Sequence, residues 1–177
     1  MCRYLHGPYP ARRCDHGNPF RRYRSGFVEY LCNKENLTVS EVLNILNKKS
    51  GMLGMTGISS DYRDVSAAAE AGNQDAINCL EAYAYRIIKY IGSYIAAMGG
   101  VDVITFTAGL GENAIPLRET ICKAFEFMGL EFDSEANNCR GVEKIITKEG
   151  SKITACVIPT NEEIAICEET VELVKGK

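Results

Sequence analysis

The chain has 177 residues, of which 46% are hydrophobic, and its formal net charge is −3 at pH 7. This supplies enough apolar material for the core of one large domain or two small ones. The apolar runs are short and interrupted by Gly, Lys or Arg, and no apolar signal-peptide core is visible. We therefore expect a cytoplasmic protein without a membrane partner.

Residues 1–26 differ in charge from the rest of the chain. They carry six Arg and one Asp, a charge of +5, whereas residues 27–177 carry 14 Lys and Arg against 22 Asp and Glu, a charge of −8. A basic arm is one signature of nucleic-acid binding. This one has neither helical nor strand periodicity and no aromatic interleaving on a regular element, so we predict no nucleic-acid partner.

Helical patterns begin at residue 27. A short helical stretch covers residues 27–32, and residues 38–47 follow as an amphipathic helix with Thr38 and Glu41 placed for a capping box. A glycine-punctuated loop is predicted over 51–60. Another helix begins near Asp61-Tyr62-Arg63, where acidic residues suit the first turn, and the longest helical pattern runs over 73–98.

The stretch Val101-Asp-Val-Ile-Thr-Phe-Thr-Ala-Gly-Leu-Gly-Glu-Asn113 predicts a buried strand, a glycine turn and a helix N-terminus. Glycines at 109 and 111 would let backbone N–H groups approach an anion such as a nucleotide phosphate. The same spacing fits a plain turn between a strand and a helix equally well. A helix over 117–128, closed by Gly129, is predicted next.

A second buried strand is predicted over 152–158, followed by a polar turn and a final helix over 164–174. Ligands of α/β folds bind at the carboxyl ends of strands, so both polar turns are expected at the functional edge. Glu162 in the second turn is a carboxylate suited to Mg²⁺, directly or through water. Alternatively, Asn161 and the glutamates merely cap the helix.

Four segments together resemble the C-terminal part of acetate kinase, in the acetate and sugar kinase/Hsp70/actin superfamily. They are Lys48-Lys-Ser-Gly-Met-Leu-Gly54, Gly57-Ile-Ser-Ser-Asp-Tyr-Arg-Asp64, Phe106-Thr-Ala-Gly-Leu-Gly-Glu-Asn113 and Val157-Ile-Pro-Thr-Asn-Glu-Glu163. The resemblance covers residues 27–177. It implies an α/β fold of the actin-like ATPase (ribonuclease H-like) type, with helices packed on a mixed sheet.

The resemblance also implies an activity, phosphoryl transfer from ATP to acetate to give ADP and acetyl phosphate, and a homodimer for the intact family member. Mg²⁺ would be positioned by Glu162. The residues beside ATP or ADP would be Asp61, Tyr62, Arg63, Gly109, Leu110, Gly111, Glu112 and Asn113. The family usually has Met at the position of Tyr62.

One family segment, Met-Gly-Thr-Arg-Ser-Gly-Asp, whose arginine faces the transferred phosphoryl group, is missing. The chain instead has His16-Gly-Asn-Pro-Phe-Arg-Arg-Tyr-Arg-Ser-Gly26. Codons allowed for these residues, read one nucleotide later, permit the family segment. Residues 1–26 are therefore expected to be an out-of-frame or disordered segment. No catalytic residue is assigned, and this chain alone is expected either to be an inactive fragment of the enzyme or a non-catalytic remnant that binds nucleotide weakly.

Overall fold

The computed structural model describes residues 26–175. The predicted out-of-frame or disordered segment, 1–26, lies outside the described residues except for Gly26. The chain divides into two compact units, Met1–Ile87 and Ile88–Lys177. None of the helices in the described part of the chain combines the length and the apolar character needed to cross a bilayer.

The described part of the first unit is helical. Its elements are α1 (Gly26–Glu35), α2 (Val39–Lys48), α3 (Met52–Thr56), α4 (Tyr62–Glu70) and the first part of α5 (Gln74–Met98). The helices predicted at 27–32, 38–47, near 61 and over 73–98 are confirmed, although α1 is longer than expected. The predicted capping box is also present, because Glu41 N donates to Thr38 Oγ1 (3.3 Å) and Thr38 N donates to Glu41 Oε2 (2.8 Å).

The predicted loop over 51–60 is partly wrong, since it contains the short helix α3. Glycines bound this helix on both sides, with positive φ angles of 67° at Gly51 and 66° at Gly57. Met52 is buried in a core cluster with Val65, Ala76 and Cys79. Burial of this side chain favours a helical turn that the glycine content alone did not indicate.

The second unit combines the end of α5 with a small sheet and further helices. These elements are β1 (Val103–Phe106), α6 (Ala108–Asn113), α7 (Ile115–Lys123), a 3₁₀ helix (Glu126–Met128), β2 (Lys144–Ile145), β3 (Thr154–Val157) and α8 (Glu162–Lys175). The sheet order is β1-β3-β2. β1 and β3 run parallel, with Phe106 opposite Val157, and β2 pairs with β3 in the antiparallel sense.

Both predicted strands are therefore confirmed, and the sheet is mixed. Side chains alternate along each strand: Ile104 and Phe106 of β1 are buried, as are Ala155 and Val157 of β3. Val103, on the other face, is 52% exposed. This alternation places one face of the sheet in the core of the unit.

Two boundaries in this unit differ from the prediction. The glycines of the Gly-Leu-Gly-Glu-Asn motif lie inside α6, which begins at Ala108, and do not form a turn ahead of a helix. The helix predicted over 117–128 is divided into α7, with a proline in its first turn, and the 3₁₀ helix. Gly129 ends it as predicted, with φ of 96°, a left-handed conformation that glycine adopts without steric cost.

Candidate functional site

The polar turns that follow β1 and β3 are in direct contact. Thr107 Oγ1 lies 2.8 Å from Thr160 Oγ1, and Ala108 N donates to Thr160 Oγ1 over 3.1 Å. Parallel pairing of the two strands brings their carboxyl ends to the same edge, where ligands of α/β proteins bind. The prediction that the two turns share this edge is confirmed. The two threonines themselves were not singled out from the sequence.

A carboxylate of α6 strengthens the connection between the turns. Thr160 N donates to Glu112 Oε1 over 2.9 Å. Glu112 was expected beside a nucleotide, yet one of its oxygens has a partner within the protein. A carboxylate offers about four lone-pair sites, so Glu112 can accept further hydrogen bonds.

Ala108, at the junction of β1 and α6, has a strained backbone. Its φ of 61° places a non-glycine residue in the left-handed region. This conformation costs roughly 1–2 kcal/mol for an L-residue and is concentrated at functional sites. The hydrogen bond from Ala108 N to Thr160 Oγ1 depends on this backbone geometry. The strain therefore lies where the two turns meet.

The two glycines of α6 have different surroundings. A Cβ added at Gly111 would lie 3.1 Å from the carbonyl carbon of Phe106, so glycine is needed for the close approach of α6 to β1. A Cβ at Gly109 would meet nothing within 4 Å, and this residue is exposed. Gly111 thus fits the alternative stated above, in which the glycine is needed for backbone geometry and not for binding an anion. Gly109 leaves open space from which a ligand can reach the backbone.

The remaining residues of the motif complete the short helix. Asn113 Nδ2 donates to the carbonyl of Gly109 over 2.9 Å. Leu110 is partly buried, and its carbonyl accepts from Ala114 N at the end of α6 over 2.9 Å. These contacts hold the helix but do not test the predicted nucleotide contacts.

Arg118, a fully buried arginine on α7, was not singled out from the sequence. Its Nη1 donates to the carbonyls of Gly111 (2.9 Å) and Glu112 (2.8 Å) at the end of α6. Its Nε and Nη2 donate to Asn137 and to the Cys139 carbonyl. Burial lowers the pKa of the Arg118 guanidinium from its ordinary value. An arginine on an amphipathic helix is normally solvated, so the neighbouring residues in the sequence did not indicate that Arg118 is buried.

In the first unit, Asp61 caps α4. Its Oδ1 accepts from Arg63 N over 2.8 Å, and its Oδ2 lies 2.6 Å from Arg63 Nη2 in an ion pair. These bonds lower the pKa of Asp61 from 3.8 to about 2. The helix-terminal role expected from the sequence is therefore confirmed. Tyr62 packs against the core of this unit, with its ring centroid 5.9 Å from that of Tyr83, and burial raises the pKa of its hydroxyl.

Glu162, the predicted metal ligand, is the first residue of α8. The side chain of Asn161 accepts from Ile164 N over 3.1 Å, which confirms the capping alternative for Asn161. Within residues 26–175, no group of three or more His, Cys, Asp or Glu side chains is arranged to hold a metal ion. The magnesium assignment of Glu162 stays a prediction.

These features define an α/β protein with a polar site at the carboxyl ends of two parallel strands. Comparison with known proteins then gives the family: the chain belongs to the acetokinase family, whose model matches residues 23–168. The acetate kinase of Lachnoclostridium phytofermentans is 55% identical over 147 residues, which are 83% of this chain and 37% of that protein.

Solved structures agree with this result. The acetate kinase of Porphyromonas gingivalis superposes with a TM-score of 0.78 at 44% identity, over 86% of this chain and 38% of that one. The acetate kinase of Entamoeba histolytica gives 0.76 at 30% identity, over 86% and 40%. The predicted actin-like ATPase fold is thereby confirmed. The chain spans about two fifths of the length of these relatives.

Proposed function

We propose that the chain is the nucleotide-binding part of an ATP:acetate phosphotransferase, which catalyses ATP + acetate = ADP + acetyl phosphate. Membership of the acetokinase family carries the proposal. The contact between Thr107 and Thr160 supports it, because this contact joins the Gly-Leu-Gly-Glu-Asn helix to the turn after β3. The cytoplasmic location and the homodimer of the intact enzyme belong to the same proposal.

The nucleotide would bind beside α6. Gly109 has open space where its Cβ would be, and the neighbouring backbone is fixed at Ala108 by Thr160. We assign the adenosine and phosphate contacts to residues 109–113. Asp61, Tyr62 and Arg63 are assigned to nucleotide binding from the family resemblance, and the Arg63 side chain, 86% exposed, is accessible to a phosphate oxygen.

The residues present fit a magnesium ion that is held chiefly by phosphate and water. Mg²⁺ retains several waters and needs only one or two protein carboxylates when a nucleotide supplies the other oxygens. Glu162, at the start of α8 and directly after the turn that carries Thr160, would hold it. When bound, the ion neutralises charge on the transferred phosphoryl group.

The proposal has two versions, which differ in whether the intact protein catalyses phosphoryl transfer. The chain lacks the family's Met-Gly-Thr-Arg-Ser-Gly-Asp segment in frame, so no catalytic arginine is assigned. We expect no turnover from these 177 residues alone. The alternative is a non-catalytic remnant domain that retains weak nucleotide binding.

A coupled assay of acetyl phosphate formation from ATP, Mg²⁺ and acetate tests the proposal. The 177-residue chain is compared with a version in which the reading frame of residues 1–26 is repaired and the upstream family domain is added. Activity in the extended version alone supports the phosphotransferase. An extended version that folds, binds MgATP and forms no acetyl phosphate favours the remnant, and one that does not bind nucleotide overturns the proposal.

The frameshift itself has a separate test. We propose that residues 1–26 arise from a reading frame offset by one nucleotide, which would explain their charge of +5 against −8 in the rest of the chain. Sequencing the gene across this region should show the family segment in the shifted frame. Stop codons or unrelated residues in that frame would remove the explanation.

A further inference from the structure

We propose that Arg118 is a positioning residue for the candidate nucleotide site, because it holds the end of α6 and, through Glu112, the turn after β3. This inference deepens the proposed function and rests on it for its consequence in nucleotide binding. The hydrogen-bonding role itself rests on the contacts of Arg118 alone.

The first contact is with the C-terminal end of α6. The last carbonyls of a helix have no partner within the helix and need one elsewhere. Arg118 Nη1 donates to two of them, Gly111 O at 2.9 Å and Glu112 O at 2.8 Å. The guanidinium also carries positive charge at the negative end of the helix dipole. A six-residue helix with two glycines gains its fixed position from such a contact.

The second contact anchors this helix to a distant loop. Arg118 Nε donates to Asn137 Oδ1 (2.8 Å), and Nη2 donates to the carbonyls of Asn137 (2.9 Å) and Cys139 (2.7 Å). Asn137, itself 1% exposed, donates from Nδ2 to the carbonyl of Ile115 over 3.1 Å. The loop therefore holds both Arg118 and the beginning of α7.

Together, these bonds occupy all five N–H donors of the guanidinium with neutral oxygen acceptors. A lysine has only three donors on a single nitrogen and cannot reproduce the planar fork. A buried carbonyl left without a donor is costly. Replacement of Arg118 by lysine should therefore keep the charge but release the end of α6.

A short path connects this network to the site. Glu112, whose carbonyl accepts from Arg118, uses its side chain to accept from Thr160 N over 2.9 Å. Thr160 in turn accepts from the strained Ala108 N over 3.1 Å. Displacement of Glu112 would alter both turns that form the site.

The test compares Arg118→Lys with the wild-type chain by ¹H–¹⁵N NMR, without ligand. The amides of Ala114 and Thr160 should shift, since both report on α6, whereas Thr154 N, bonded to Asp102 O at the other end of the sheet, should not. Arg140→Lys is the matched control, because Arg140 is exposed and close to Cys139. It should leave all three amides unchanged.

A titration with MgADP gives the functional readout. Arg118→Lys should weaken binding about tenfold or more, the size of one charge-assisted hydrogen bond, at a temperature where the variant is folded. Loss of thermal stability with unchanged Ala114 and Thr160 amides and unchanged MgADP affinity would overturn the inference. If wild-type chain binds no MgADP, the proposed function fails, and the ligand-free amide shifts still decide whether Arg118 positions α6.

If Arg118→Lys does not fold, Asn137→Ala is the milder variant. It removes the Oδ1 acceptor of Arg118 Nε and the bond to Ile115 O, but leaves the carbonyls of Gly111 and Glu112 in place. The Arg118 Nε resonance should then shift, because it loses its acceptor. If this resonance keeps its wild-type position, Arg118 is not bonded to the Asn137 side chain and the inference is overturned.

Discussion

The backbone N–H of Thr160 donates to the carboxylate of Glu112 over 2.9 Å, so a side chain of α6 holds the turn that follows β3. We expect Glu112→Ala to lower the free energy of unfolding by about 1 kcal/mol, because Thr160 N loses its acceptor at a partly exposed position. Urea denaturation followed by circular dichroism measures this change.

Two variants control the Glu112 experiment. Glu112→Gln keeps an oxygen acceptor and should retain most of the stability. Glu149→Ala removes an exposed carboxylate from a loop and should have almost no effect. Equal losses from Glu112→Ala and Glu149→Ala would show that the bond to Thr160 contributes nothing specific.

The two glycines of α6 should respond differently to alanine. Gly111→Ala places a Cβ 3.1 Å from the Phe106 carbonyl carbon, which belongs to the backbone of β1 and cannot move away easily. The expected loss of stability is about 1–3 kcal/mol. Gly109→Ala meets open space and should be neutral or slightly stabilising, since alanine favours a helix. Thermal unfolding of both variants checks the prediction, and a neutral Gly111→Ala would refute the close-approach explanation.

Asp61 should give part of the acid dependence of stability in the first unit. Arg63 lowers its pKa from 3.8 to about 2 in the folded chain. A depressed pKa means that the carboxylate stabilises the fold above about pH 4, and that this contribution is lost as the pH falls toward 2. Carboxyl ¹³C NMR should locate the titration of Asp61 near pH 2.

Removing the Arg63 side chain should reverse part of this shift. Arg63→Gln is expected to raise the pKa of Asp61 part of the way toward 3.8, because it removes the side-chain bonds, the largest cause of the depression, and keeps the bond from the backbone N of residue 63. Lys49→Gln removes the same charge from an exposed position in the same unit and should leave the pKa of Asp61 low. An Asp61 pKa near 3.8 in the wild-type chain would contradict the ion pair.

The capping box of α2 offers a further test. Thr38→Ala removes the acceptor of Glu41 N and should cost about 1 kcal/mol of stability, whereas Thr38→Ser should retain most of it. Hydrogen bonds from the backbone N and the hydroxyl of Thr38 also lower the pKa of Glu41, so Thr38→Ala, which removes only the hydroxyl bond, should raise that pKa part of the way toward its ordinary value. If Thr38→Ser and Thr38→Ala are equally unstable, the hydroxyl is not the cap.

Local signals explain what the sequence predicted. The capping box, the long α5 and the two strands depend on residues a few positions apart, and the common edge of the two polar turns followed from the position of each turn at the carboxyl end of a strand. α3 was missed because its two flanking glycines indicate a loop, while the burial of Met52 depends on Val65 and Ala76. The two-residue β2 gave no periodic pattern.

The hydrogen bonds that hold the candidate site together could not be predicted for a similar reason. Arg118 looks like a solvated residue of α7, and its burial depends on acceptors at Asn137 and Cys139, 19 and 21 residues away. Glu112 and Thr160 are separated by 48 residues. Bonds between residues so far apart in the chain leave no spacing pattern in a single sequence.

Titration of the ¹⁵N-labelled chain with MgADP tests most directly whether a nucleotide binds at residues 109–113. We expect saturable shifts that begin at the amides of residues 109–113, beside the open space at Gly109. Binding of this kind would establish α6 as the nucleotide site of this acetokinase-family chain. An absence of shifts at these amides at millimolar MgADP, in a chain whose spectrum shows that it is folded, would contradict the account.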